Sequence, residues 1–349
     1  MDAVKEVLDS GWYILGRKVE EFERQYARFN GVKFCAGISN GLDALQLALK
    51  ALDIGEGDEV ILPSNTYIAT VIAVSNVGAR PVFVEPLKTT CNIDPALIKE
   101  KITGHSKAII PVHLFGQACE MSAIMSVAEN SRLYVIEDNA QAHGATNFGK
   151  LTGSFGHINA TSFYPTKNLG ALGDAGAITT DSEGLLTAIK KLRNYGFEKK
   201  YYSDIIGNNA RLDELQAAIL LTRLDKLQQR NKQRVKIAEH YSSLLFGIEG
   251  IILPEVAINS TSVFHIYLIR TEKRDELKKY LASRNVETMI HYPVPPHLQK
   301  AYSYLGYKRG EFPIAETIAE TCLSLPMYPN LSSVSVEYVC EQINGFFHG

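Results

Sequence analysis

The 349-residue sequence has no paired cysteines, no long apolar segment and no excess of either charge. Its five cysteines are scattered without a CxxC pair, which excludes a disulfide scaffold and a zinc site built on such pairs. No apolar run is long enough to span a bilayer. The 36 Lys and Arg residues balance 38 Asp and Glu residues, so nucleic acid and membrane surfaces are poor partners.

Two further absences narrow the enzyme class and the location. No GxGxxG motif follows the first predicted strand, which sets aside a dinucleotide-binding oxidoreductase. None of the nine histidines has a partner at a spacing typical of a metal site, so we expect no metal. The N-terminal segment lacks a signal-peptide pattern and the scattered cysteines suit a reducing compartment, so we expect a cytoplasmic protein.

What the sequence does contain is a regular alternation of strand and helix patterns. Short β-branched runs such as EVILP and RLYVIED alternate with helical patterns such as GLDALQLALKAL. This alternation predicts an α/β fold, with a mostly parallel sheet that has helices on both faces. The length allows one large and one smaller domain, or two medium domains. Late in the chain the pattern changes to a mixture of strand, helix and proline-rich loop, which predicts a large domain over residues 1–240 and a smaller C-terminal domain over residues 241–349.

Two segments after the alternation have other patterns. Residues 197–210 are polar and aromatic without a period, which predicts an irregular loop. Residues 211–245 have the pattern of one long, bent helix. Its predicted apolar face consists of Leu212, Leu215, Ile219 and Thr222.

Three stretches carry candidate chemistry, and the first is ISNGLDALQLALKAL. A predicted strand ends there, a small turn follows at residues 39–41, and a helix begins. A helix N-terminus presents unpaired N–H groups and a partial positive charge, which suit a phosphate. An ordinary strand-to-helix turn explains the same residues, and for this stretch alone it is the commoner case.

The second stretch is RLYVIEDNAQAHGA, in which Asp138 directly follows an apolar strand. The carboxyl ends of parallel strands form the ligand crevice of such sheets. A carboxylate there can hold a positive charge or a protonated ring nitrogen, and Gln141 follows three residues later. A helix-capping aspartate is the alternative.

The third stretch, SFYPTKNLGALGDAGA, places Lys167 just past the end of another predicted strand. An ammonium group there is costly to desolvate unless it is paired or used covalently, although a surface lysine on a loop is the alternative. The glycines that follow would let the backbone fold tightly beside a bulky planar group. A phosphate site, an aspartate and a lysine together are the set that pyridoxal 5′-phosphate (PLP) requires.

The chain resembles the DegT/DnrJ/EryC1/StrS family of sugar aminotransferases over nearly its whole length. The resemblance is carried by the ordered motifs SGWYILG, SNGLDALQLAL, ILPSNTYIAT, PVHLFG, VIEDNAQAHGA, SFYPTKNLG, GDAGA, RNYG, NNARLDELQAA and HYPVPPHL. It implies the fold type I PLP-dependent aminotransferase architecture, with a mostly parallel seven-stranded sheet between helices and a smaller α/β C-terminal domain. It also implies PLP, or its amino form pyridoxamine phosphate (PMP), as the cofactor.

The same resemblance implies roles for individual residues. Lys167 is expected to form the covalent link to PLP and then to move the proton. The expected cofactor contacts are Asp138 at the ring nitrogen, Gln141 near the ring hydroxyl, Tyr67 on the ring face, and Asn40, Gly41, Leu42 and Ser162 around the phosphate. Asn209 is expected to reach the phosphate from a second subunit, which implies a homodimer with shared active sites.

The resemblance also indicates the reaction. Relatives that dehydrate sugars carry histidine in place of Lys167, so a transaminase is favoured, with L-glutamate as the expected amino donor. The segment around Lys167 is similar to the branch that aminates C3 of dTDP-3-keto-6-deoxyhexoses for antibiotic sugars or for surface glycans such as O-antigen or S-layer. The expected substrate contacts are Tyr164, Tyr201, His291 and Tyr292, with Lys199 and Lys200 as candidates for the pyrophosphate.

Two alternatives stay open at this point. One is a C4 aminotransferase on a dTDP- or UDP-linked 4-keto sugar, and the other is a PLP-binding regulatory protein without turnover. The lysine and the aspartate whose loss would mark such a regulator are both present. Of three histidines near the motifs, His143 and His265 are expected to be structural, whereas His113 fits a core role and a place in the crevice equally well.

Overall fold

The computed structural model describes residues 1–348, in which strands and helices alternate through the first two thirds of the chain. The strands are β1 (Phe34–Ile38), β2 (Glu59–Pro63), β3 (Arg80–Val84), β4 (Ser106–Ile109), β5 (Tyr134–Asp138), β6 (Thr146–Asn147), β7 (Lys150–Leu151), β8 (Ile158–Ser162), β9 (Gly176–Thr180), β10 (Phe197–Lys199), β11 (Tyr202–Ser203), β12 (Tyr267–Arg270) and β13 (Cys322–Leu325). The α-helices are α1 (Asp2–Ser10), α2 (Arg17–Asn30), α3 (Gly41–Ala51), α4 (Ile68–Asn76), α5 (Pro95–Ile98), α6 (Met121–Ser131), α7 (Glu183–Leu192), α8 (Glu214–Leu224), α9 (Leu227–Leu245), α10 (Arg274–Ala282), α11 (Pro313–Thr321) and α12 (Ser333–His348).

A seven-stranded sheet in the order β1-β9-β8-β5-β4-β2-β3 forms the centre of the molecule. The neighbouring pairs from β8 to β3 are parallel, whereas β9 runs antiparallel to both β1 and β8. The predicted seven-stranded, mostly parallel sheet is therefore confirmed. The inner strands are apolar on both faces because helices cover the sheet from both sides.

Successive residues of one strand serve opposite cores, as the pleat of a strand requires. In β2, Val60 and Leu62 belong to the main core, whereas Ile61 belongs to the core on the other face. Helices α3 and α4 build the main core, and α6 covers β4 and β5 on the other side. Helices α2 and α8 pack together on the chain that follows β8, which fixes one wall of the site described below.

The C-terminal part of the chain adds a second layer. Strands β12 and β13 form an antiparallel pair, and α9, α10 and α12 bury one face of it in a separate core. The boundary predicted between residues 240 and 241 falls inside α9, whose C-terminal half packs in that core. The division into two domains stays a prediction.

The prediction of an irregular loop over residues 197–210 is wrong for residues 197–203. Strands β10 and β11 form a short antiparallel hairpin there, with Phe197 opposite Ser203. The apolar periodicity that identifies most strands is missing because this hairpin is exposed on both sides, with Tyr201 at its tip. Its strands are held by backbone pairing instead of core packing.

The single helix predicted over residues 211–245 is also wrong, since α8 and α9 are separate helices with a break at residues 225–226. The buried face of α8 includes Glu214, Ala217 and Leu220, whereas Thr222 of the predicted face is exposed. The Glu214 carboxylate accepts hydrogen bonds from the N–H groups of Gly16, Lys18 and Val19 at the start of α2. These bonds turn the Glu214 side of α8 inward.

Residues 1–348 lack two features, a membrane-spanning helix and a metal-binding cluster. No helix there is both long and apolar enough to cross a bilayer. The same residues contain no group of three or more His, Cys, Asp or Glu side chains arranged to hold a metal ion.

Candidate active site

The three predicted stretches meet at the carboxyl edge of the central sheet. Strand β5 ends at Asp138, β8 ends at Ser162, and β1 ends at Ile38, shortly before α3 begins. Because β5 and β8 are parallel neighbours, Asp138 and Ser162 leave the sheet side by side. The strand order thus brings together residues that are far apart in the sequence, at the edge where open α/β sheets bind ligands.

Lys167 lies in a tight loop that follows β8. The Lys167 N–H donates to the carbonyl of Tyr164 at 2.8 Å, and the chain returns where Ala171 N–H donates to the carbonyl of Phe163, also at 2.8 Å. A Cβ atom at Gly170 would lie 2.5 Å from a backbone oxygen of the same loop, so this turn requires glycine. The loop geometry holds the lysine amine at the carboxyl edge of the sheet.

The Lys167 side chain is half-buried, and its positive charge and the negative charge of Asp138 influence each other. Burial lowers the pKa of Lys167 to about 8, and the negative charge of Asp138 opposes that shift. An amine with this pKa is partly neutral near pH 7 to 8, which suits both nucleophilic attack and proton transfer.

Asp138 is buried and accepts two hydrogen bonds from neutral donors. Thr70 Oγ1–H donates to Oδ2 at 2.8 Å, and Ala140 N–H donates to Oδ1 at 3.2 Å. Burial raises the pKa of Asp138, and these hydrogen bonds and the charge of Lys167 act in the opposite direction. A buried carboxylate in such surroundings fits a cationic partner, such as a protonated ring nitrogen.

An aromatic pair forms another wall of the cleft. Gln141 Nε2 donates to the Tyr292 hydroxyl at 3.1 Å, and Gln141 Oε1 accepts the Phe115 N–H at 2.7 Å. The rings of Tyr292 and Tyr67 lie 5.1 Å apart, tilted by 36°. Tyr67 is 51% exposed, so one ring face is open to a planar ligand.

His291 lies on the same cleft, next to Tyr292. Its Nδ1 is 2.8 Å from the Ser324 hydroxyl of β13, which fixes the ring. Burial lowers the pKa of His291, and the positive charge of Lys167 lowers it further. The imidazole is therefore neutral at neutral pH and offers a polar edge to the cleft.

The start of α3 has the features of an anion site. Asn40 is the N-cap, since its Oδ1 accepts the Asp43 N–H at 2.8 Å and its carbonyl accepts the Ala44 N–H at 3.1 Å. The N–H groups of Gly41 and Leu42 precede these bonds and have no acceptor within the helix. They face outward at the positive end of the helix, where a phosphate binds well.

Ser162 completes this cradle from the neighbouring strand. A Cβ atom at Gly41 would lie 2.6 Å from the Cβ of Ser162, so only glycine allows the helix and the hydroxyl to come this close. The residues present therefore fit PLP, with a cradle for its phosphate, an amine for its aldehyde and a buried acid for its ring nitrogen.

The three histidines near the sequence motifs each have defined hydrogen-bond partners. His113 is a core residue: Nε2 is 2.8 Å from Glu137 Oε2 and Nδ1 accepts the Cys119 N–H at 3.0 Å. His143 is structural, with its Nε2 3.1 Å from the Ser162 carbonyl. His265 does more than pack, because its Nδ1 lies 3.2 Å from Oδ1 of Asn168, the residue after Lys167.

Three residues of the site were missing from the sequence-based prediction: Thr70, Asn168 and Ser324. Thr70 follows Tyr67 by three residues on α4, and this helical spacing was a usable signal. The contacts of Asn168 and Ser324 cross long stretches of chain, and no local pattern indicates them.

Of the remaining predicted residues, only Tyr164 is joined to Lys167 by a hydrogen bond in residues 1–348, and this bond uses its backbone carbonyl. Tyr164 is exposed on the Lys167 loop. Asn209 is exposed and its backbone pairs with Asn194, while Tyr201 is 79% exposed at the tip of the β10–β11 hairpin. Lys199 and Lys200 lie on that hairpin and place their amines over Tyr202 and Tyr201, respectively. Their predicted roles stay predictions.

The model of the DegT/DnrJ/EryC1/StrS aminotransferase family matches residues 1–344. The chain belongs to this family. The aminotransferase is 51% identical to a dTDP-3-amino-3,6-dideoxy-alpha-D-galactopyranose transaminase of Aneurinibacillus thermoaerophilus, over 99% of this chain and 94% of the relative. It is 43% identical to a "pleiotropic regulatory protein" of Geobacillus stearothermophilus (99% and 94%) and 40% identical to a UDP-2-acetamido-2-deoxy-3-oxo-D-glucuronate aminotransferase of Pseudomonas aeruginosa (97% and 94%).

Solved structures show the same fold. The aminotransferase superimposes with a TM-score of 0.98 on Streptomyces venezuelae DesV in complex with a ketimine intermediate, at 44% identity over 100% of this chain and 94% of that one. It superimposes with a TM-score of 0.89 on NtdA of Bacillus subtilis with bound PMP, at 33% identity over 97% and 81%. The protein is a PLP/PMP-dependent sugar aminotransferase, and the predicted family, fold, enzyme class and cofactor are confirmed.

Proposed function

We propose that this aminotransferase moves the amino group of L-glutamate to C3 of a dTDP-3-keto-6-deoxyhexose, giving a dTDP-3-amino-3,6-dideoxyhexose. The observation that carries the chemistry is the placement of the Lys167 amine and the Asp138 carboxylate on one cleft, beside the cradle at Gly41 and Ser162. The substrate is supported by the relative at 51% identity, whose name states a dTDP-3-amino sugar.

Each of these side chains has a distinct task in the proposal. Bound PLP supplies an electron sink that stabilises negative charge at the carbon losing a proton. Asp138 keeps the ring nitrogen protonated, because a buried carboxylate is stabilised by an adjacent cation. Lys167 accepts and returns the proton, and its pKa of about 8 leaves both protonation states populated near neutral pH. Tyr67 and Tyr292 hold planar groups from one side.

The position of amination has broader support than the nucleotide. The relative named for a dTDP sugar and the relative named for a UDP sugar both carry position 3 in their names, although their nucleotides differ. C3 is therefore the more strongly supported half of the proposal, and dTDP follows from the higher identity of the first relative.

Product analysis with labelled nitrogen tests this proposal. The PLP-loaded protein is incubated with ¹⁵N-glutamate and one keto sugar in each reaction. The three keto sugars are dTDP-3-keto-6-deoxyhexose, its 4-keto isomer and a UDP-linked 3-keto sugar. We expect NMR to show ¹⁵N bonded to C3 of the dTDP sugar, and no product with Lys167→Ala. Nitrogen on C4 would overturn the regiochemistry, and preference for the UDP sugar would overturn the nucleotide.

We further propose a homodimer in which Asn209 of one subunit reaches the phosphate cradle of the other. The exposure of Asn209, and of Tyr201, Lys199 and Lys200 on the projecting hairpin, supports this arrangement, because none of these side chains is occupied by the core of its own subunit. We propose a cytoplasmic location, in keeping with the five cysteines, all of which are free thiols. The product would serve antibiotic-sugar or surface-glycan synthesis.

The regulatory alternative is favoured by one observation, the name of the relative at 43% identity. A regulator without turnover would have no need for an amine with a lowered pKa beside a buried acid, and both groups are present at Lys167 and Asp138. The labelled-nitrogen experiment also decides this point, since a regulator would form no aminated sugar.

A further inference from the structure

A second cavity lies between the large sheet and β12, apart from the Lys167 cleft. It has a volume of about 30 Å³. Phe264 and Leu268 contribute to its apolar wall, and Thr90, Ser262 and Arg270 contribute polar groups. Nothing in the proposed transamination uses this cavity.

The alternation of β12 directs Arg270 toward this cavity. Tyr267 and Ile269 point into the C-terminal core, whereas Leu268 points into the main core on the other face. Arg270, two residues after Leu268, therefore points to the same side as Leu268. Its backbone is fixed by two hydrogen bonds with Ile252, so the guanidinium has a rigid base.

The Arg270 side chain is mostly shielded from solvent, and its nitrogens have no charged or hydrogen-bonded partner among residues 1–348. The residue is only 7% exposed, yet among residues 1–348 no carboxylate lies within 4.0 Å of its nitrogens and no acceptor takes a hydrogen bond from them. Glu255 also lines the cavity, but its side chain is exposed. A guanidinium that is largely shielded from water and has no counter-charge favours an anion as its partner.

Two hydroxyl groups add donors to the same cavity. Thr90 Oγ1 accepts the Asn92 N–H at 3.3 Å, and Ser262 Oγ accepts the Phe264 N–H at 3.1 Å. Because each oxygen is already an acceptor, its hydrogen is free to donate. The cavity thus combines one cation and two hydroxyl donors with walls that are partly apolar.

The volume indicates the size of the anion. A water molecule needs about 10–15 Å³ in such a measure, so the cavity holds about two oxygen atoms. A carboxylate has two oxygens in one plane, which match the planar fork of a guanidinium.

We propose that this cavity, the Arg270 site, binds the carboxylate group of a small organic acid. The bound group would join three segments, around Thr90, around Ser262 and at β12, and would stabilise their packing. Phe115 adjoins both places, since it lines the Arg270 site and its N–H donates to Gln141 of the cleft.

Thermal unfolding of the PLP-loaded protein tests the proposal, with acetate as the probe. Acetate should raise the melting temperature saturably, whereas sodium chloride at equal ionic strength and acetamide, the neutral isostere, should not. In Arg270→Met the apparent Kd for acetate should rise about tenfold or more, by loss of a charged hydrogen bond. The exposed Arg309→Met is the matched control and should bind acetate as the wild type does.

Two further arms keep the test decisive. Lys167→Ala should retain the acetate effect, which separates the Arg270 site from the cleft. If Arg270→Met does not fold, Thr90→Val should weaken acetate binding by several fold instead. Competition by L-glutamate or 2-oxoglutarate in Lys167→Ala would identify the acids of the reaction as ligands, and its absence would point to smaller acids. The proposal would be overturned if acetate did not raise the melting temperature, or if acetamide raised it equally. It would also be overturned if Arg270→Met and Thr90→Val both bound acetate as tightly as the wild type.

Discussion

The side-chain oxygen of Asn168, the residue after Lys167, lies 3.2 Å from Nδ1 of His265. The amide nitrogen of Asn168 donates to Asn231 Oδ1 at 2.9 Å and to the Val263 carbonyl at 3.2 Å. Since Asn168 Oδ1 can only accept, His265 must carry its hydrogen on Nδ1. The loop that presents the lysine is therefore held both from α9 and from the chain entering β12.

Asn168→Ala should remove the hydrogen bonds that fix the loop carrying Lys167. We expect kcat to fall by about 10- to 100-fold, because a small misplacement of a reacting group is costly, while the protein stays folded. The visible spectrum of the bound cofactor should titrate at a changed pH, which a merely structural loss would not cause. The exposed Asn76→Ala is the control. Wild-type kcat and titration in Asn168→Ala would contradict the positioning role.

Lys167→Met should stabilise the cofactor-free protein. The folded-state pKa of about 8 lies below the usual 10.5, so the folded protein holds this proton less tightly than the unfolded chain. Lys167 therefore lowers the free energy of unfolding by its full amount below pH 8, and this destabilisation disappears as the pH rises toward 10.5. In urea unfolding, the free energy of unfolding of Lys167→Met should therefore exceed that of the wild type by about 1–3 kcal/mol at pH 7 and by almost nothing at pH 10.5. The exposed Lys101→Met should show no such pH dependence, and a gain that is equal at both pH values would contradict the account.

Gly41→Ala should weaken cofactor binding. The added methyl group would lie 2.6 Å from Ser162 Cβ and would push the helix start away from the hydroxyl. Overpacking of this kind costs about 1–3 kcal/mol, which corresponds to a Kd for PLP raised by about tenfold or more. Gly184→Ala, in the first turn of α7, has only one neighbour at 3.8 Å and should leave the Kd unchanged. Equal PLP affinities in both variants would argue against the cradle.

Mixing of two inactive variants tests the shared site. If Asn209 acts across the subunit interface, Lys167→Ala and Asn209→Ala damage different parts of the same composite site. Hybrid dimers formed by unfolding and refolding the two together should then contain one intact site and recover activity. Each variant refolded alone should stay low. No recovery in hybrids whose formation is verified by differential tagging would place Asn209 in its own subunit's site, or outside any site.

Some parts of the site could be predicted from the sequence because local patterns end at them. The apolar runs of β5 and β8 stop at Asp138 and Ser162, and the helix that begins at Gly41 follows an N-cap, Asn40, that can be identified in the sequence. In a parallel sheet these ends share one edge, so the fold rule alone brings the predicted stretches together.

Other parts depend on contacts that no local pattern reveals. The Asn168–His265 contact spans 97 residues. Arg270 ends a short β-branched and apolar strand, and only the packing of β12 on two cores shows that its side chain lies in a cavity. The β10–β11 hairpin lacks an apolar period because it has no core to face.

Trapping of the cofactor on the protein tests the central claim most directly. The PLP-loaded protein is reduced with borohydride, which makes the covalent link permanent, and the digested peptides are mapped by mass spectrometry. We expect the reduced cofactor on Lys167 and no labelled peptide from Lys167→Ala. Labelling of a different lysine in the wild-type protein, with Lys167 unmodified, would contradict it.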